Sequence, residues 1–308
     1  MEIALQFVLL ALGFVMLGKG ADWFVEGAAG IAMRFGIPQL VIGLTIVAMG
    51  TSAPEAAVSI AAAVKGNADI TIGNIVGSNI LNILVILGLA ASIVPIAVAH
   101  STVRIEIPFM IGVTALLFYQ GRDSSISLAD GGVLMVAFAA YMMYLYTMAM
   151  KSNVDSDLEE PGLPLGRCLL GAVGGLALII AGSNVTVGAA TSIATYAGLS
   201  ERFIGLTIVA LGTSLPELFT SVAAARRGNA DIAIGNIVGS NIFNILFVVG
   251  LSSLIIDIPF ASAFNFDTYV ALGAAVLLWL CVLRTQRLQR WAGALMLMCY
   301  AAYLGYIL

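Results

Sequence analysis

Two stretches of this sequence, 162 residues apart, are nearly the same. Residues 43–89 read GLTIVAMGTSAPEAAVSIAAAVKGNADITIGNIVGSNILNILVILGL, and residues 205–251 read GLTIVALGTSLPELFTSVAAARRGNADIAIGNIVGSNIFNILFVVGL. Aligned without a gap, they share 34 identities in 47 positions. A shared apolar composition does not produce GTS-x-PE and GNIVGSNI-x-NIL twice in register. The chain therefore contains an internal duplication, and its placement decides the fold.

The composition places this duplication in a membrane. Of the 308 residues, 61% are hydrophobic and 10% are charged, whereas a soluble domain has about 45–50% apolar and about 25% charged residues. So few charges leave too little polar surface for water, which excludes soluble enzymes, nucleic-acid-binding proteins and disordered proteins. Because a membrane helix needs about 20 apolar residues, the length allows about ten crossings.

Ten apolar stretches follow one another along the chain. They are 3–30, 38–64, 70–95, 105–120, 127–150, 165–195, 203–225, 232–256, 267–284 and 289–307. The stretches are continuous, whereas the strands of a membrane barrel are short and alternate in polarity. We therefore predict an all-α membrane protein with ten transmembrane helices.

The duplication divides these helices into two halves. Its offset spans five helices, an odd number, so the second copy enters the membrane from the opposite side. We expect a first five-helix repeat over 1–150 and a second, inverted repeat over 165–308, joined by a short acidic cytoplasmic linker over 151–164. Inverted repeats are typical of transporters that work by alternating access, with the ion site near the midplane where the halves meet.

Basic residues set the orientation, because Lys and Arg are enriched at the cytoplasmic ends of membrane helices. With the N-terminus outside, the outer ends hold Lys65, Arg122 and Arg202. The cytoplasmic ends then hold Arg34, Arg104, Lys151, Arg167, Arg226, Arg227, Arg284, Arg287 and Arg290. We expect a multi-pass protein of the plasma (inner) membrane with both termini extracytoplasmic.

Glu55 and Glu217 carry the chemistry. They occupy equivalent positions of the two copies, inside apolar segments. A carboxylate at the centre of a bilayer costs at least about 2.5–3.5 kcal/mol. A buried, hydrogen-bonded or protonated Glu would be the structural explanation. We favour a cation site, because no basic residue lies in the cores of the same helices.

A proline precedes each of these carboxylates. Pro54 and Pro216 remove a helix donor and disrupt the bond to the carbonyl four residues earlier. Irregular backbone at membrane depth is tolerated where it lines a cavity, and carbonyl oxygens are ligands for hard cations. We therefore expect unpaired carbonyls around Ala48–Ser52 and Ala210–Ser214.

Polar side chains at helical spacing accompany the carboxylates. Residues four apart share a helix face, and such stripes recur on four helices. The stripes are Thr51, Glu55 and Ser59; Thr213, Glu217 and Ser221; Asn74, Ser78 and Asn82; and Asn236, Ser240 and Asn244. An isolated Ser in a membrane helix usually bonds a neighbouring helix. Four matched stripes are better explained as the walls of one site.

The ligand types indicate which cation such a site would take. Carboxylate, hydroxyl, amide and carbonyl oxygens select Ca²⁺, Na⁺ or Mg²⁺ over Zn²⁺ or Cu⁺. Mg²⁺ tends to keep its waters, so a direct oxygen cage suits Ca²⁺ better. One Ca²⁺ neutralises two carboxylates, and Na⁺ competing for the same oxygens gives a simple physical basis for exchange.

These motifs resemble a known family. GTSAPE with GNIVGSNILN, and GTSLPE with GNIVGSNIFN, look like the α-repeats of the Na⁺/Ca²⁺ exchanger branch of the cation/Ca²⁺ antiporter superfamily. Length and helix number are similar to those of its compact prokaryotic members. The resemblance implies a ten-helix fold, alternating access and Na⁺-driven Ca²⁺ extrusion, usually with three Na⁺ per Ca²⁺.

The resemblance also implies a ligand set, carried over by motif position. The Ca²⁺ site would use the side chains of Glu55 and Glu217 and the carbonyls of Thr51 and Thr213. The Na⁺ sites would add Ser52, Ser214, Ser78, Ser240 and the carbonyls of Ala48 and Ala210, with Asn82 and Asn244 lining the centre. Some relatives have Asp at the position of Asn244, so the amide here argues against K⁺ co-transport.

Other functions remain as alternatives. An H⁺-coupled or other divalent-cation exchanger on the same scaffold is the nearest one, although the proton-coupled branch has a Glu soon after GN, where this chain has IVGS. A passive cation channel is less favoured. We expect no enzyme activity, because His100 is the only histidine and no pair of membrane Asp residues occurs.

The expected partners follow from this function. They are Ca²⁺ and Na⁺ as transported ions and the lipid bilayer, without a cofactor or nucleic acid. A monomer is one option for the oligomeric state. We further expect Asp22 and Glu26, in the first helix, to pair locally with Lys19.

Overall fold

A computed structural model of the chain describes residues 2–66, 68–152, 163–198 and 210–307. In this part, twelve helical segments follow one another. They are α1 (Glu2–Phe35), α2 (Gln39–Thr51), α3 (Ala53–Val64), α4 (Ile70–Ile93), α5 (Thr102–Asp123), α6 (Leu128–Ser152), α7 (Leu165–Tyr196), α8 (Ala210–Thr213), α9 (Leu215–Arg226), α10 (Ala230–Ile255), α11 (Ala263–Leu283) and α12 (Arg290–Ile307). The prediction of an all-helical protein is confirmed.

Membrane-spanning length is reached by seven of these helices in the described residues, or by eight spans if the bent pair α2–α3 is counted as one. The seven are α1, α4, α5, α6, α7, α10 and α11. Large apolar side chains such as Val8, Val136, Leu170 and Met298 are exposed on the outside of the bundle. Contact of such a surface with lipid tails costs no free energy, whereas its exposure to water is unfavourable.

The predicted stretches agree with the observed helices except at two places. The stretch 38–64 is broken at Ser52, where α2 and α3 meet at a bend of 51°. Within 203–225, helix is described only from Ala210 onward. Residues 153–162, which make up most of the predicted linker, lie outside the described part of the chain.

Two very short strand pairs, which the sequence did not predict, lie in the connections between helices. Strand β1 (Ile96–Ala97) pairs with β4 (Arg287–Leu288), and β2 (Ser125–Ile126) pairs with β3 (Ile258–Pro259), both antiparallel. The pairing of residue 96 with 288 becomes that of 258 with 126 when each is shifted by 162. The duplication of the sequence is therefore also a duplication of contacts.

Helices α4 and α10 form the centre of the bundle. In their most hydrophobic windows 78% and 94% of the residues are buried, against 17% in both α1 and α6. Each central helix changes to a π-helical segment, Asn82–Leu87 in α4 and Asn244–Val249 in α10. π-Helical turns are rare and frequently mark functional sites, and both of these begin at a predicted site residue.

Helices α1 and α7 pack tightly against each other in opposite directions. Gly13 lies opposite Gly182, and Gly20 lies opposite Gly175. A Cβ on Gly20 would lie 2.9 Å from the carbonyl oxygen of Gly175, and a Cβ on Gly13 would lie 3.1 Å from that of Gly182. A shift by 162 residues converts one glycine pair into the other. Small residues thus allow close helix approach where water cannot drive association.

The expected pairing of Asp22 and Glu26 with Lys19 is wrong. Both carboxylates instead bind Arg227, at 3.2 Å each, just beyond the end of α9. The planar guanidinium reaches two acids one helical turn apart, which the short-range spacing of the sequence did not reveal. This ion pair connects the first half of the chain to the second.

We predict that Gly175→Ala destabilises the protein by about 1–3 kcal/mol, the usual cost of forcing extra atoms into a packed contact. The new Cβ would lie 2.5 Å from the backbone nitrogen of Phe24. The matched control is Gly174→Ala, whose Cβ has no neighbouring atom within 4 Å. The control gains up to about 1 kcal/mol of helix propensity. Unfolding in detergent measures both variants, and equal stabilities would contradict the packing.

Candidate functional site

Each of the two carboxylates lies in the first turn of a helix that follows a break. Ser52 ends the helical path of α2, and α3 begins at Ala53 with Pro54 and Glu55 in its first turn. Ser214 plays the same part before α9, whose first turn contains Glu217. A proline is tolerated in the first turn because its missing N–H has no intrahelical partner there. The helix N-terminus carries partial positive charge, which stabilises a carboxylate.

The two carboxylates are held by crossed hydrogen bonds between the halves. Ser52 donates its hydroxyl to Oε1 of Glu217 at 2.7 Å, and Ser214 donates to Oε1 of Glu55 at 3.4 Å. Both Glu side chains are 1% exposed. Each serine thus binds the carboxylate of the opposite half, so both carboxylates lie where the two halves meet.

Amides on the central helices brace the broken helices. Asn74 donates to the hydroxyl of Ser59 at 2.9 Å and to the carbonyl of Glu55 at 3.2 Å. Its counterpart Asn236 donates in the same way to Ser221 and Glu217, at 2.9 and 3.4 Å. The predicted polar stripes therefore meet as predicted, and part of their function is to fix the helices that carry the carboxylates.

Four asparagines join the two central helices. Asn79 and Asn241 each donate to the other's backbone carbonyl at 3.2 Å. Asn82 donates to Oδ1 of Asn241 at 2.9 Å, and Asn244 donates to Oδ1 of Asn79 at 3.1 Å. Only the side-chain nitrogens of Asn82 and Asn244 take part in these bonds. The side-chain oxygens of both residues are not used by them.

Four buried oxygens of the site have no hydrogen-bond partner. They are Oε2 of Glu55, Oε2 of Glu217, Oδ1 of Asn82 and Oδ1 of Asn244. An unsatisfied buried acceptor costs about 1–3 kcal/mol, and more when it is charged. All four accept and none donates, and they form two equivalent pairs. This is the arrangement that a bound cation would satisfy.

The structure places the predicted site residues together around the α2–α3 and α8–α9 breaks and on α4 and α10. The buried ones are Ala48, Thr51, Ser52, Glu55, Ser78, Asn82, Ser214, Glu217, Ser240 and Asn244. Thr213 is half-buried, and Ala210 begins α8. Thr51 donates to Oδ1 of Asn236 at 3.0 Å, which connects the first broken helix to α10.

The expectation of unpaired carbonyls is wrong at several positions, one of which is Gly212, whose carbonyl accepts the hydroxyl of Ser183 at 2.7 Å. The carbonyl of Ala48 accepts the backbone N–H of Ser52 at 3.0 Å and the hydroxyl of Ser240 at 3.3 Å. The carbonyls of Ser52 and Ser214 each accept a backbone N–H four residues later, at 3.1 Å. The reason is that proline stands at the start of a new helix and not inside a continuous one, so it removes few bonds. A carbonyl oxygen retains a second lone pair for a cation.

Asn79 and Asn241 are the residues that sequence reasoning missed. Neither falls on a predicted polar stripe, yet both are buried and join the two halves. A signal for them exists, because each is the Asn of a repeated GSNI motif. A polar residue that recurs in both repeats but lies off the predicted polar stripes indicates a contact between the two repeats.

The donor set of this site is oxygen alone. Among the described residues, no group of three or more His, Cys, Asp or Glu side chains could hold a metal ion. The site combines two carboxylates with neutral hydroxyl, amide and carbonyl oxygens. Such a set suits weakly held, exchangeable hard cations better than a resident transition metal.

Comparison with known proteins identifies the family. A family model described as "Sodium/calcium exchanger protein" matches residues 5–147 and 168–308. The chain belongs to the sodium/calcium exchanger family. Two relatives of this exchanger align over 98% of both chains. CaxA of Alkalimonas amylolytica, which carries the name of an antiporter, is 41% identical, and the sodium/calcium exchanger MaX1 of Methanosarcina acetivorans is 33% identical.

A solved structure agrees with this assignment. The sodium-calcium exchanger NCX_Mj, soaked with Na⁺ and Sr²⁺, superposes with a TM-score of 0.86 at 33% identity, covering 98% of this chain and 99% of that one. The chain is thus a multi-pass membrane antiporter of the sodium/calcium exchanger family. Exchange of transported ions requires no cofactor, in agreement with the sequence-based expectation.

We predict that Asn82 and Asn241 are energetically coupled. A single buried hydrogen bond contributes about 1 kcal/mol, and the bond between these two side chains is 2.9 Å long. A double-mutant cycle with Asn82→Ala and Asn241→Ala in detergent unfolding should give a coupling of about that size. Asn74→Ala paired with Asn241→Ala is the control, because Asn74 bonds Ser59 and Glu55 instead. Additive effects of Asn82→Ala and Asn241→Ala would contradict the bridge.

Proposed function

We propose that this exchanger moves Ca²⁺ out of the cytoplasm in exchange for Na⁺, by alternating access at the Glu55 and Glu217 pair. The observation that carries the proposal is the set of four unpartnered, buried oxygens, two from carboxylates and two from amides. The two carboxylates stand at equivalent positions of the two repeats, and when both are ionised they give the site a formal charge of −2. A single divalent cation neutralises it.

The proposed ligands follow the predicted set. Ca²⁺ is bound by the side chains of Glu55 and Glu217 and by the carbonyls of Thr51 and Thr213. The Na⁺ sites use Ser52, Ser214, Ser78, Ser240 and the carbonyls of Ala48 and Ala210, with Asn82 and Asn244 at the centre. The crossed serine bonds support this assignment, because they hold one Oε of each Glu and leave the other for the ion.

Competition for the shared carboxylates couples the two ions. With both Glu side chains ionised, a Ca²⁺-loaded site is neutral and a site with three Na⁺ carries a charge of +1. The two loads need the same oxygens, so one leaves before the other binds. We propose three Na⁺ per Ca²⁺, the usual ratio of the family that the motifs resemble.

The proposed architecture is ten transmembrane helices in two inverted five-helix repeats, 1–150 and 165–308. The opposed directions of α1 and α7 support inversion, as do glycine pairs and strand pairs that map onto each other by 162 residues. The α2–α3 and α8–α9 pairs and α12 supply the crossings beyond the seven long helices. Alternating access then exchanges the conformations of the two halves.

The proposed orientation follows the distribution of basic residues. Both termini are extracytoplasmic, the acidic linker 151–164 is cytoplasmic, and the protein lies in the plasma (inner) membrane. Arg227 is predicted on the cytoplasmic side, and its bond to Asp22 and Glu26 is compatible with this. Because both halves of the site lie in one chain, a monomer is sufficient for the proposed activity.

The function is tested by the driving ion. Protein reconstituted in liposomes should take up Ca²⁺ only when the liposomes contain Na⁺ and the outside does not. Liposomes loaded with choline are the control, and a pH gradient without Na⁺ should drive no uptake. Uptake driven equally well by the pH gradient would establish an H⁺-coupled exchanger instead. Uptake without any counter-ion would establish a channel.

The site is tested by removing one charge at a time. Glu55→Gln or Glu217→Gln leaves a divalent cation only one carboxylate, and loss of one partner of a buried ion pair costs about 3–5 kcal/mol. We expect Na⁺-dependent Ca²⁺ uptake to fall at least about 100-fold in each variant. The matched control is Glu106→Gln, because Glu106 is likewise buried in a membrane helix but lies outside the site. Normal transport in the first two variants would remove these residues from the site.

A further inference from the structure

A groove with a volume of about 540 Å³ runs between α1 and α9. The two helices lie side by side in the same direction. The rings of Phe14 and Phe219 are 6.1 Å apart at their centroids, and eight residues further along each segment Asp22 binds Arg227. Eight helical residues span about 12 Å. The α1–α9 groove therefore extends over about this length, between one aromatic and one ionic contact.

The α1–α9 groove is separate from the ion site. On α9, Glu217 and Ser221 are buried, whereas Phe219 and Val222, which line the groove, are half-buried. On α1, the groove residue Val15 is 60% exposed. The groove thus lies on the outer side of the bundle, where lipid surrounds a membrane protein.

One end of the groove is charged. Lys19, Arg226 and Arg227 supply three positive side chains there, and Asp22 supplies a negative one. Arg227 binds both Asp22 and Glu26, and with both acids counted this end has a net charge of +1. In the described part of the chain, Lys19 and Arg226 have no ion-pair partner, and both are exposed. Their charges are therefore available to a negatively charged ligand.

The other end of the groove is apolar. Phe14 and Val15 form its wall on α1, and Phe219 and Val222 form its wall on α9. Gly18 stands between the two ends, and a Cβ added to it would meet no atom within 4 Å. The groove is therefore open along its length, and a ligand that fits both ends has a negatively charged group and an apolar body.

The charged end lies at one end of the bundle. Helix α9 ends at Arg226, a turn at Gly228 follows, and α10, which is long enough to span a membrane, begins at Ala230. Lipid headgroups are expected at the level where a membrane helix begins. The long side chain of Lys19 can extend along the apolar surface to reach this level. The apolar end then lies about 12 Å deeper, among the acyl chains.

The duplication does not explain these features. Open space at Gly18 and the charge of Lys19 occur in the first half only, because an isoleucine and an alanine stand 162 residues later, Ile180 and Ala181. The position equivalent to Arg226 holds Val64. The charged end is therefore not a copy of anything that both halves need for the ion site.

We propose that the α1–α9 groove binds an anionic phospholipid, with its phosphate at Lys19 and Arg226 and an acyl chain along Phe14 and Val222. Basic pockets between membrane helices are suited to acidic lipid headgroups. A phosphodiester carries one negative charge, which matches the net charge of the charged end. The proposal does not depend on which ions the exchanger transports, so it stands or fails separately from the proposed function.

Native mass spectrometry of the purified full-length protein tests the ligand. The lipid probes are phosphatidylglycerol and phosphatidylcholine with the same acyl chains. One Lys or Arg near a membrane surface attracts an acidic lipid by about fivefold, so we expect phosphatidylglycerol to bind at least about fivefold more tightly than phosphatidylcholine. Equal binding of the two lipids would overturn the proposal.

A third probe separates a lipid from a free phosphate. Glycerophosphoglycerol has the headgroup of phosphatidylglycerol without its acyl chains. Each buried methylene contributes roughly fourfold, so we expect this probe to bind at least about 100-fold more weakly than the lipid. If the headgroup alone binds as tightly as phosphatidylglycerol, the ligand is a free phosphate and the proposed lipid is wrong.

Charge variants locate the headgroup. We expect Lys19→Gln and Arg226→Gln each to weaken binding of phosphatidylglycerol about fivefold and to leave that of phosphatidylcholine unchanged. Arg287→Gln is the matched control, because Arg287 is equally exposed but lies on β4, outside the groove. An equal loss in the control would show attraction to the overall charge of the protein and would refute the groove as the site.

A variant that keeps every charge locates the acyl chain. Gly18→Ile introduces the residue found at the equivalent position 180 into open space, so it should elute as a single folded species. We expect at least about tenfold weaker binding of phosphatidylglycerol, because the new side chain displaces several methylenes from the groove. Gly188→Ile is the control, since its Cβ also meets no atom within 4 Å but lies on α7. Wild-type lipid binding by Gly18→Ile would overturn the proposal.

Discussion

The structure depends on keeping two carboxylates inside an apolar bundle. Glu55 and Glu217 are almost completely buried in segments where an isolated charge is costly. Three features reduce this cost. Each Glu stands in the first turn of a helix, each accepts a serine hydroxyl from the other half, and an asparagine braces the helix on which it stands. An unbroken helix would have neither an N-terminus nor a bend at this depth. The helix breaks therefore provide the surroundings that stabilise the two carboxylates.

Much of this was readable from the sequence because the duplication supplied two independent copies of each signal. The all-helical fold, the position of the carboxylates and the meeting of the polar stripes followed from spacing and symmetry. The break at Ser52 did not, because proline in an apolar run indicates a kink as readily as a new helix start. The bond between Asn79 and Asn241 also could not be predicted, since it depends on how two central helices face each other and not on the period of either one.

Long-range pairs were the hardest features to predict. Arg227 binds two acids that lie more than 200 positions earlier in the chain, while Lys19, a near neighbour of both, does not. Periodicity along one helix determines which residues share a face. It carries no information about which helix covers that face.

The ion pairs of Arg227 make the two halves of the molecule different from each other. The equivalent positions of the other repeat hold Lys65, Asn184 and Gly188, so neither acid has an acidic counterpart there. A pair of half-exposed ion pairs contributes up to about 1 kcal/mol each. In the proposed alternating-access mechanism, an ion pair that one half forms and the equivalent positions of the other half do not favours one orientation of the transporter, and 1.4 kcal/mol is a tenfold difference in population. In that mechanism, two repeats that are nearly identical at the proposed ion site leave the resting orientation of the transporter to be set by contacts away from that site.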